Sequence, residues 1–516
     1  MTSLPDRPHT IVSGGVKREQ FHAYDTLMRL RLSRVAGPTA LSRLVPHCLS
    51  EASSAPFLAF FARSGAFTVL LCALIPLAAR AQTFTTLTNL TGTNGANPLF
   101  ATLLQGPDGN LYGTTSAGGV HAHGTVFKIS RAGTLTTLYS FCALSNCADG
   151  SAPYAGLILG TDGNFYGTTE SGGAHRNNGT IFKITPKGVL TTLHSFNSTD
   201  GANPYAPLMQ ASDGNFYGTT ESGGAHILGT IFKITPAGTL TTLHSFDSTD
   251  GSSPEAHLIQ AGDGNFYGTT YNGGTEGYGT VFKMTPTGTL TTLHVFSDAD
   301  GRAITAGLVQ AADGNFYGST TLGGPNGYGS VFSMTPAGTV TILHSFNATD
   351  GATPNELVVA TDGNIYGTTI SGGTNIDGTI FEVTPQGAFN TLHTFAGSDG
   401  ADSFAGLVQA TDGKFYGSTR VGGSKNDGVI FRLDTGLAPF VETLPTSGKV
   451  GARIRILGTS LTGTTSVTFN GTAATFTVIS PSQVITTVPA AATTGTVQVT
   501  TPTATLLSNE PFHVTK

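Results

Sequence analysis

Short apolar runs separated by turn residues fill most of the chain, and their order repeats. In residues 204–251 the runs are APLMQA, NFYGTT, TIFKI and LTTLHSF, each bounded by Gly, Pro, Asp or Asn. Runs of this length that are rich in β-branched and aromatic residues are typical of β-strands. The compact SDG and TPAG breaks predict tight hairpin turns, because Gly permits positive φ and Pro presets its own φ. No stretch of the repeats has a helical period.

The four runs recur seven times around the phrase DGNFYG. Its aspartates follow one another at intervals of 54, 51, 50, 50, 49 and 50 residues, and they are Asp108, Asp162, Asp213, Asp263, Asp313, Asp362 and Asp412. Four strands per repeat at a period near fifty residues predict an all-β fold, a seven-bladed β-propeller with one four-stranded blade for each repeat in residues 82–433.

The two ends of the repeat region complement each other. The seventh repeat stops after its third strand at Leu433, whereas an additional strand at residues 84–90 precedes the first repeat. Pairing of this N-terminal strand with the last blade would close the ring and remove two open sheet edges. The sequence therefore favours a closed propeller over a linear array.

Residues 1–81 differ from the repeats and read as a presequence. They hold nine of the 25 Lys and Arg residues and a short apolar run at residues 66–75, followed by Ala79-Arg80-Ala81. A basic flank, a short apolar core and an A-x-A site predict a signal peptide that is cleaved before Gln82. The alternative is an uncleaved N-terminal anchor, although the run is short for a membrane span. We expect an exported protein that is secreted, periplasmic or at the cell surface, without a stable membrane span after cleavage.

Charge and composition limit the classes of partner that the chain is expected to bind. Charged residues make up 11% of the chain, there are 69 Gly and no Trp, and without residues 1–81 the formal net charge falls from −6 to −11. An acidic chain without a basic run argues against binding to nucleic acid or to anionic membranes. We expect a monomer, and the sequence indicates no cofactor.

Two of the four cysteines, Cys142 and Cys147, lie within the repeats. They occur in FCALSNCADG, where other repeats have FNSTDG, so they belong to a four-residue insertion. In an exported protein this spacing predicts a local disulfide. The alternative is a pair of metal thiolates, which lacks the second Cys/His pair of a structural zinc site.

The repeat pattern ends after Leu433. Residues 434–439 read as a linker, and residues 440–516 contain six or seven short strands, which predicts an Ig-like β-sandwich. This segment resembles the IPT/TIG domain at PTSG (445–448), ILGT (456–459), VTFNG (467–471), VP (488–489) and GTV (495–497). It departs from the family at Ser460 and Leu461. The resemblance implies a spacer or interaction module and no catalysis.

The repeats have a family resemblance of their own. Their pattern, DGNFYGTT followed by GG, GTIFKITP and GTLTTLHSF, resembles the GloVer-type tandem repeat of exported bacterial proteins over residues 84–433. The resemblance implies export and brings no established biochemical activity.

In such a propeller the compact turns share one face and the longer loops share the other, where we expect ligands to bind. The loop after each GG pair differs between repeats, whereas the strands barely change. The predicted partner is a glycan or a protein ligand. Tyrosine combines an apolar face with a polar tip and therefore suits sugars, although the lack of Trp weakens the prediction of a glycan. The candidate contact residues are Tyr271, Tyr278, Tyr328, Glu170, Glu221, Arg420 and Lys425.

Histidines raise the question of a metal site. The loop histidines that could hold an ion are His121, His123, His175 and His226. We favour their interpretation as solvated loop residues, because equivalent loops on different blades need not approach one another. His194, His244, His294, His344 and His393 recur at one strand position and predict a structural role, since a reaction site needs unlike groups at one point.

No catalytic motif is present: the chain lacks G-x-S-x-G, HExxH and a phosphate loop. The sequence therefore predicts an exported binding or scaffolding protein. One alternative is a hydrolase or lyase that acts on polysaccharides through the loop face, and the other is a purely structural envelope protein.

Overall fold

A computed structural model of the chain describes residues 82–175 and 177–515. The predicted signal peptide and the remainder of residues 1–81 lie outside the described residues. The described chain is all-β, and its single helical segment is a three-residue 3-10 turn at Ser145–Cys147. Nowhere in these ranges is there a helix with the length and apolar character needed to span a membrane.

The strand β1 (Thr83–Asn89) precedes the repeats, and each of the first six repeats then forms one four-stranded antiparallel sheet, with its strands side by side in chain order. Repeat sheets 1 to 3 contain β2 (Leu104–Gln105), β3 (Leu111–Thr115), β4 (Thr125–Ile129), β5 (Leu135–Ser140); β6 (Ile158–Leu159), β7 (Phe165–Thr169), β8 (Thr180–Ile184), β9 (Leu190–Ser195); and β10 (Met209–Gln210), β11 (Phe216–Thr220), β12 (Thr230–Ile234), β13 (Leu240–Ser245). Repeat sheets 4 to 6 contain β14 (Ile259–Gln260), β15 (Phe266–Thr269), β16 (Thr280–Met284), β17 (Leu290–Val295); β18 (Val309–Gln310), β19 (Phe316–Thr320), β20 (Ser330–Met334), β21 (Val340–Ser345); and β22 (Ala352–Val359), β23 (Ile365–Ser371), β24 (Thr379–Val383), β25 (Phe389–Thr394).

Repeat sheet 7 combines the two ends of the repeat region. Its strands are β26 (Val408–Gln409), β27 (Phe415–Thr419), β28 (Val429–Asp434) and β1, in the order β1-β28-β27-β26. β1 runs antiparallel to β28 in a register that begins at Thr83 opposite Asp434 and ends at Asn89 opposite Val429. The predicted pairing of the N-terminal strand with the third strand of the last repeat is therefore confirmed.

Apolar side chains lie on both sides of each repeat sheet and pack against the neighbouring sheets. The cluster between sheets 7 and 1, for example, contains Phe127 and Leu103 of the first repeat together with Ile430 and Tyr416 of the seventh. Equivalent clusters join each of the other pairs of consecutive sheets. Burial of both faces explains why strands such as TIFKI are apolar at successive positions.

A glutamine at the end of the first strand joins neighbouring repeats. The Gln210 side chain accepts a hydrogen bond from the backbone N–H of Thr161, at 2.9 Å, in the turn of the preceding repeat. Gln105 makes the same bond to Thr411 of the seventh repeat, also at 2.9 Å. Leu159 occupies this position in the second repeat and cannot make the bond.

The chain after Leu433 forms a two-sheet β-unit, which we call the C-terminal module. One sheet has the order β29 (Glu442–Leu444), β31 (Arg453–Leu457), β35 (Gln483–Thr487), β34 (Phe476–Ser480), and the other β33 (Thr472–Ala473), β32 (Ser466–Phe469), β36 (Val497–Thr500), β37 (Thr505–Leu507). A parallel pair, β30 (Ser447–Lys449) and β38 (His513–Thr515), completes the module. Its core lies between the two sheets and includes Ile454, Phe469, Val484 and Phe512.

The C-terminal module packs on the compact turns of the repeats. Ser482 Oγ donates a hydrogen bond to the carbonyl of Pro107 at 2.8 Å, and the Phe440 N–H donates to the carbonyl of Thr411 at 3.1 Å. Leu457 joins the apolar cluster of repeat sheets 1 and 2, next to Leu159. The edge of the repeats that carries the longer loops is opposite to this contact.

Glu442 gives this module a stability that depends on pH. Burial and, to a smaller extent, the negative charge of Glu510 raise the pKa of its carboxyl to about 7. Because the unfolded pKa is about 4.3, ionisation penalises the folded state increasingly between about pH 4 and pH 7. We expect Glu442→Gln to stabilise the protein by roughly 1–3 kcal/mol above pH 7 and to have little effect at pH 4. Urea unfolding at both pH values checks this, with the exposed Glu276→Gln as the control, and an equal effect at both would contradict it.

Candidate ligand-binding site

The residues at the start of each first strand come together at one pocket, which we call the inner-strand pocket. Its cavity volume is about 20 Å³, and it receives side chains from the first repeat and from the third to the seventh. Its aromatic, polar and charged side chains are Phe100, Tyr205, Glu255, His257, Thr305, Asn355, Glu356 and Phe404. Because all the first strands enter their sheets from the same edge, equivalent positions of different repeats converge there.

A chain of polar contacts crosses the pocket. The His257 Nδ1 atom lies 2.9 Å from Glu356 Oε1, and the two side chains are 17% and 22% exposed. The Thr102 hydroxyl donates a hydrogen bond to the other carboxylate oxygen of Glu356. Burial by itself would raise the pKa of Glu356, but the hydrogen bond and charge of His257 and the Thr102 hydroxyl hold this pKa below its usual value. The carboxylate is therefore ionised at neutral pH.

Two glycines make room for this chain. A Cβ atom on Gly307 would lie 2.2 Å from the His257 ring, and a Cβ atom on Gly406 would lie 2.8 Å from Glu356 Oε2. Gly307 has the same position in the fifth repeat as His257 has in the fourth. Gly406 has the same position in the seventh repeat as Glu356 has in the sixth. The large side chain of one repeat and the glycine of the next therefore form a pair.

Aromatic rings border the pocket. The Phe100 and Phe404 rings meet edge to face with their centroids 5.8 Å apart, and the Tyr154 and Tyr205 rings lie 5.2 Å apart. The Arg420 guanidinium lies over the Phe404 ring, 5.3 Å from its centroid. This border offers apolar faces next to charged groups.

Four of the seven residues predicted as ligand contacts occupy one equivalent position beside the pocket. In each case the backbone N–H group donates a hydrogen bond to a carbonyl in the segment that leads into the first strand of the next repeat. The accepting residue lies two positions before Tyr205 or its equivalent in that repeat. These bonds are Glu170 to Ala152 at 3.0 Å, Glu221 to Asn203 at 3.0 Å, Tyr271 to Ser253 at 3.1 Å and Arg420 to Asp402 at 2.9 Å. Burial and the nearby carboxylates of Glu170 and Glu221 raise the pKa of Tyr205, a pocket residue.

The other three predicted contacts lie elsewhere, and none of the seven is among the residues that line the pocket. Tyr278 and Tyr328 pack against the apolar clusters between repeat sheets. Lys425 is exposed on its loop. Sequence reasoning missed His257, Glu356 and Phe404, although a signal was present, because His257 and Glu356 stand where other repeats have Gly, Pro or Thr.

The structure does not unite the four loop histidines in one ligand set. His121, His123, His175 and His226 are all exposed, and no three of them bring ring nitrogens within 4.8 Å of one another. The reason is that their loops belong to three different repeat sheets. Among residues 82–175 and 177–515, one group of three potential ligands occurs, and it combines His123 with Cys142 and Cys147. The structure joins these two cysteines by a disulfide, and its formation in the exported protein stays a prediction.

A family model described as the Gloeobacter/Verrucomicrobia repeat matches residues 72–275 and 254–478. The chain belongs to this repeat family. A comparison of the sequence with curated proteins finds no match.

Several solved structures have folds similar to that of this Gloeobacter/Verrucomicrobia repeat protein. The extracellular domain of a protein described as a hybrid two-component system from B. thetaiotaomicron has a TM-score of 0.47 at 10% identity, over 82% of this chain and 46% of that chain. This chain thus spans less than half of that protein's length. A fungal alcohol oxidase in complex with copper has a TM-score of 0.48 at 14% identity, over 85% of this chain and 100% of that chain. PorZ, a surface component of the type-IX secretion system of Porphyromonas gingivalis, has a TM-score of 0.42 at 14% identity, over 81% and 60%.

In this repeat-family member the recurrent polar residues bond within their own repeats. The His244 Nε2 atom lies 2.7 Å from Asp250 Oδ2, and the other four strand histidines make the equivalent contact. Asp213 accepts hydrogen bonds from the Asn215 side chain and from the Tyr217 hydroxyl, both at 2.9 Å. The histidine contacts agree with the structural role predicted for that set, and the aspartate contacts hold the compact turn of each repeat.

Proposed function

We propose that this chain is an exported binding protein that holds a glycan or a protein segment in the inner-strand pocket. The observation that carries this proposal is the convergence of unlike side chains at one point of an otherwise repetitive fold. His257 and Glu356 come from two different repeats and differ from the Gly, Pro or Thr at the equivalent positions, and Phe404 of a third repeat adds an aromatic ring, as Phe100 does at the same position of the first repeat. Repetition alone would place seven similar residues there.

The proposal includes a closed seven-bladed propeller as the scaffold of the pocket. Contacts between the first and seventh repeats support it. Arg131 Nη1 lies 2.6 Å from Asp412 Oδ2 and also donates to the Tyr416 hydroxyl at 3.1 Å. Gln105 and Thr411 add the hydrogen bond described above. A closed ring would fix the relative positions of all the inner strands, which is what a preformed binding site requires.

The chemistry of the lining favours a small, polar ligand unit. Aromatic rings at Phe100, Tyr205 and Phe404 offer apolar faces, while Glu255 adds a carboxylate. Sugar rings combine apolar faces with hydroxyl groups and suit such a lining. The cavity volume of about 20 Å³ has room for about one water molecule, so a ligand would contact the mouth of the pocket and its aromatic border. We infer that one sugar unit, or one side chain of a protein ligand, contacts this border.

The flanking segments fit the same role. The signal peptide predicted for residues 1–81 would export the chain, and the C-terminal module, which we propose to be an IPT/TIG domain, would act as a spacer. Since the C-terminal module packs on the compact turns at Pro107 and Thr411, the loops on the opposite edge stay accessible.

A second candidate function is hydrolysis or elimination on a polysaccharide. The specific observation in its favour is the contact between His257 and Glu356, which could orient the imidazole as a general acid or base. A purely structural envelope role is the third possibility, and it predicts neither binding nor turnover.

The first experiment measures binding and product release together, with the full chain and a panel of soluble neutral and amino-substituted oligosaccharides. We expect binding without cleavage, and we expect Phe404→Ala to weaken it about tenfold or more, because the ring forms part of the pocket border. Lys425→Ala and Val189→Ala change exposed residues away from the pocket and serve as controls. Equal binding by Phe404→Ala and the controls would contradict the assignment of the pocket, and release of shorter products would favour the enzyme.

A further inference from the structure

The first repeat departs from the other six at two places that lie side by side. The four-residue insertion supplies Cys142 and Cys147, and the loop after Gly119 ends with His123. Each of the three residues offers one ligand atom, and these atoms all lie within 4.8 Å of one another. The described part of the chain, residues 82–175 and 177–515, contains no other group of three Cys, His, Asp or Glu ligands this close.

Backbone contacts hold these residues in place independently of the disulfide. Cys147 occupies the position of Ser198 in the second repeat, and both have positive φ, 51° and 70°. The carbonyl of Cys147 accepts a hydrogen bond from the Gly173 N–H at 2.9 Å, and the carbonyl of Ser198 accepts the equivalent bond from Gly224 at 2.8 Å. The architecture of the repeat therefore fixes Cys147, whatever the oxidation state of its sulfur.

The other two residues have similar support. The Cys142 N–H donates to the carbonyl of Gly150 at 3.1 Å, and the carbonyl of His123 accepts from the Ala152 N–H at 2.9 Å. Asp149 holds the inserted turn by accepting the N–H of Ala143 at 2.9 Å. Reduction of the disulfide would thus leave two thiols and an imidazole close together on a constrained backbone.

We propose that the reduced form of the chain binds a thiophilic divalent cation, with Zn²⁺ as the type case, through Cys142, Cys147 and His123. The C-x4-C spacing lies within the range that zinc sites use, and a water molecule would complete a tetrahedron. With Zn–S bonds near 2.3 Å, ligand atoms sit about 3.8 Å apart, so separation of the two sulfurs after reduction suffices to form the site. The structure supplies in His123 the third ligand that the sequence pattern lacks.

A dithiol reductant converts the disulfide form of the chain into the form that binds the cation. The reductant gives two electrons and two protons to the disulfide and itself becomes a disulfide, and the two protein thiols release their protons when the cation binds. His123 is exposed and both cysteines are half-buried, so a cation can reach the site from solvent. Ser151 Oγ lies 3.4 Å from His123 Nδ1, where it can help to orient the ring. The same loop would be crosslinked by sulfur under oxidising conditions and by a cation under reducing ones.

A cobalt titration tests the site in the full chain carrying Cys48→Ser and Cys72→Ser, so that Cys142 and Cys147 are its only cysteines. Mass spectrometry without reductant first verifies that the two are bonded. After reduction we expect one equivalent of Co²⁺ to give thiolate charge-transfer bands and the visible bands of tetrahedral cobalt, and Zn²⁺ to displace it. The oxidised protein should give neither set of bands.

Two histidine variants test whether His123 is a ligand of the cation. We expect His123→Ala to weaken Co²⁺ binding about tenfold or more, whereas His121→Ala, which changes the exposed histidine two residues away, should bind normally. Reduced protein without thiolate bands would overturn the proposal, and so would equal affinities of the two histidine variants. The comparison of oxidised with reduced protein uses one polypeptide and does not depend on the folding of any histidine variant.

Discussion

Deletion of β1 (Thr83–Asn89) is expected to destabilise the repeat region by more than about 5 kcal/mol, which is the whole stability of many domains. The deletion removes the antiparallel pairing with β28 (Val429–Asp434) and leaves that strand as an open edge. It also uncovers apolar side chains, because Leu87 packs with the cluster that joins repeat sheets 7 and 1. Chemical unfolding and light scattering would measure the lower midpoint and the aggregation of the exposed edge.

Two smaller changes test the same contact without truncation. Leu87→Asp places a charge in the cluster between the first and seventh repeats and should lower the unfolding midpoint, whereas Thr83→Asn changes an exposed residue of the same strand without adding a charge opposite Asp434 and should not. A synthetic peptide with the sequence TFTTLTN should partly restore the deleted protein, and a scrambled peptide should not. An unchanged midpoint after the deletion would mean that β1 does not contribute to the stability of the fold.

Replacement of His257 by Ala is expected to cost about 2–3 kcal/mol of stability, less than a fully buried pair would lose because both partners keep some contact with solvent. The change removes the partner of Glu356 and leaves an ionised carboxylate in the pocket, with only the Thr102 hydroxyl beside it. The added change Glu356→Gln should recover at least half of the loss, because it removes the unpaired charge. A histidine that served ligands alone would leave the unfolding midpoint unchanged.

The pH dependence gives a second readout of this pair. Because the folded-state pKa of Glu356 is lowered, its contribution to stability is present above the unfolded value of about 4.3 and is lost as the pH falls through the folded value. We expect the difference between the wild type and His257→Ala to shrink between pH 5 and pH 3. His226→Ala, which changes an exposed loop histidine, provides the control and should follow the wild type at each pH.

The strands could be predicted from the sequence because their signals are local. Apolar runs such as TIFKI, bounded by TPAG and SDG turns, specify each hairpin, and the repeat period then fixes the number of sheets. The pairing of β1 with β28 was also predictable, since one end of the repeat region lacked the strand that the other had in excess. The sequence overestimated the length of the first strands, because only two residues of runs such as APLMQA pair with the next strand.

The site was harder to predict because its residues converge only in three dimensions. Variation after each GG pair drew attention to the loops, whereas His257 lies just before β14 and Glu356 lies within β22. Their interaction depends on glycines in the following repeats, at positions 307 and 406, that leave space for them. In the same way, Cys142 and Cys147 predicted a disulfide, but no spacing rule connects them to His123 in another loop.

The position of β1 also determines how early during synthesis the last sheet can be completed. Its partner, β28, is made about 350 residues later, so the last sheet cannot be completed until nearly all of the repeat region exists. At a synthesis rate of about 5–20 residues per second, β1 waits roughly 20–70 s for its partner. During that time the first repeats can form their own hairpins, because those contacts are local, while the strand with the longest sequence separation forms last. Completion of the fold is thus coupled to the arrival of the seventh repeat.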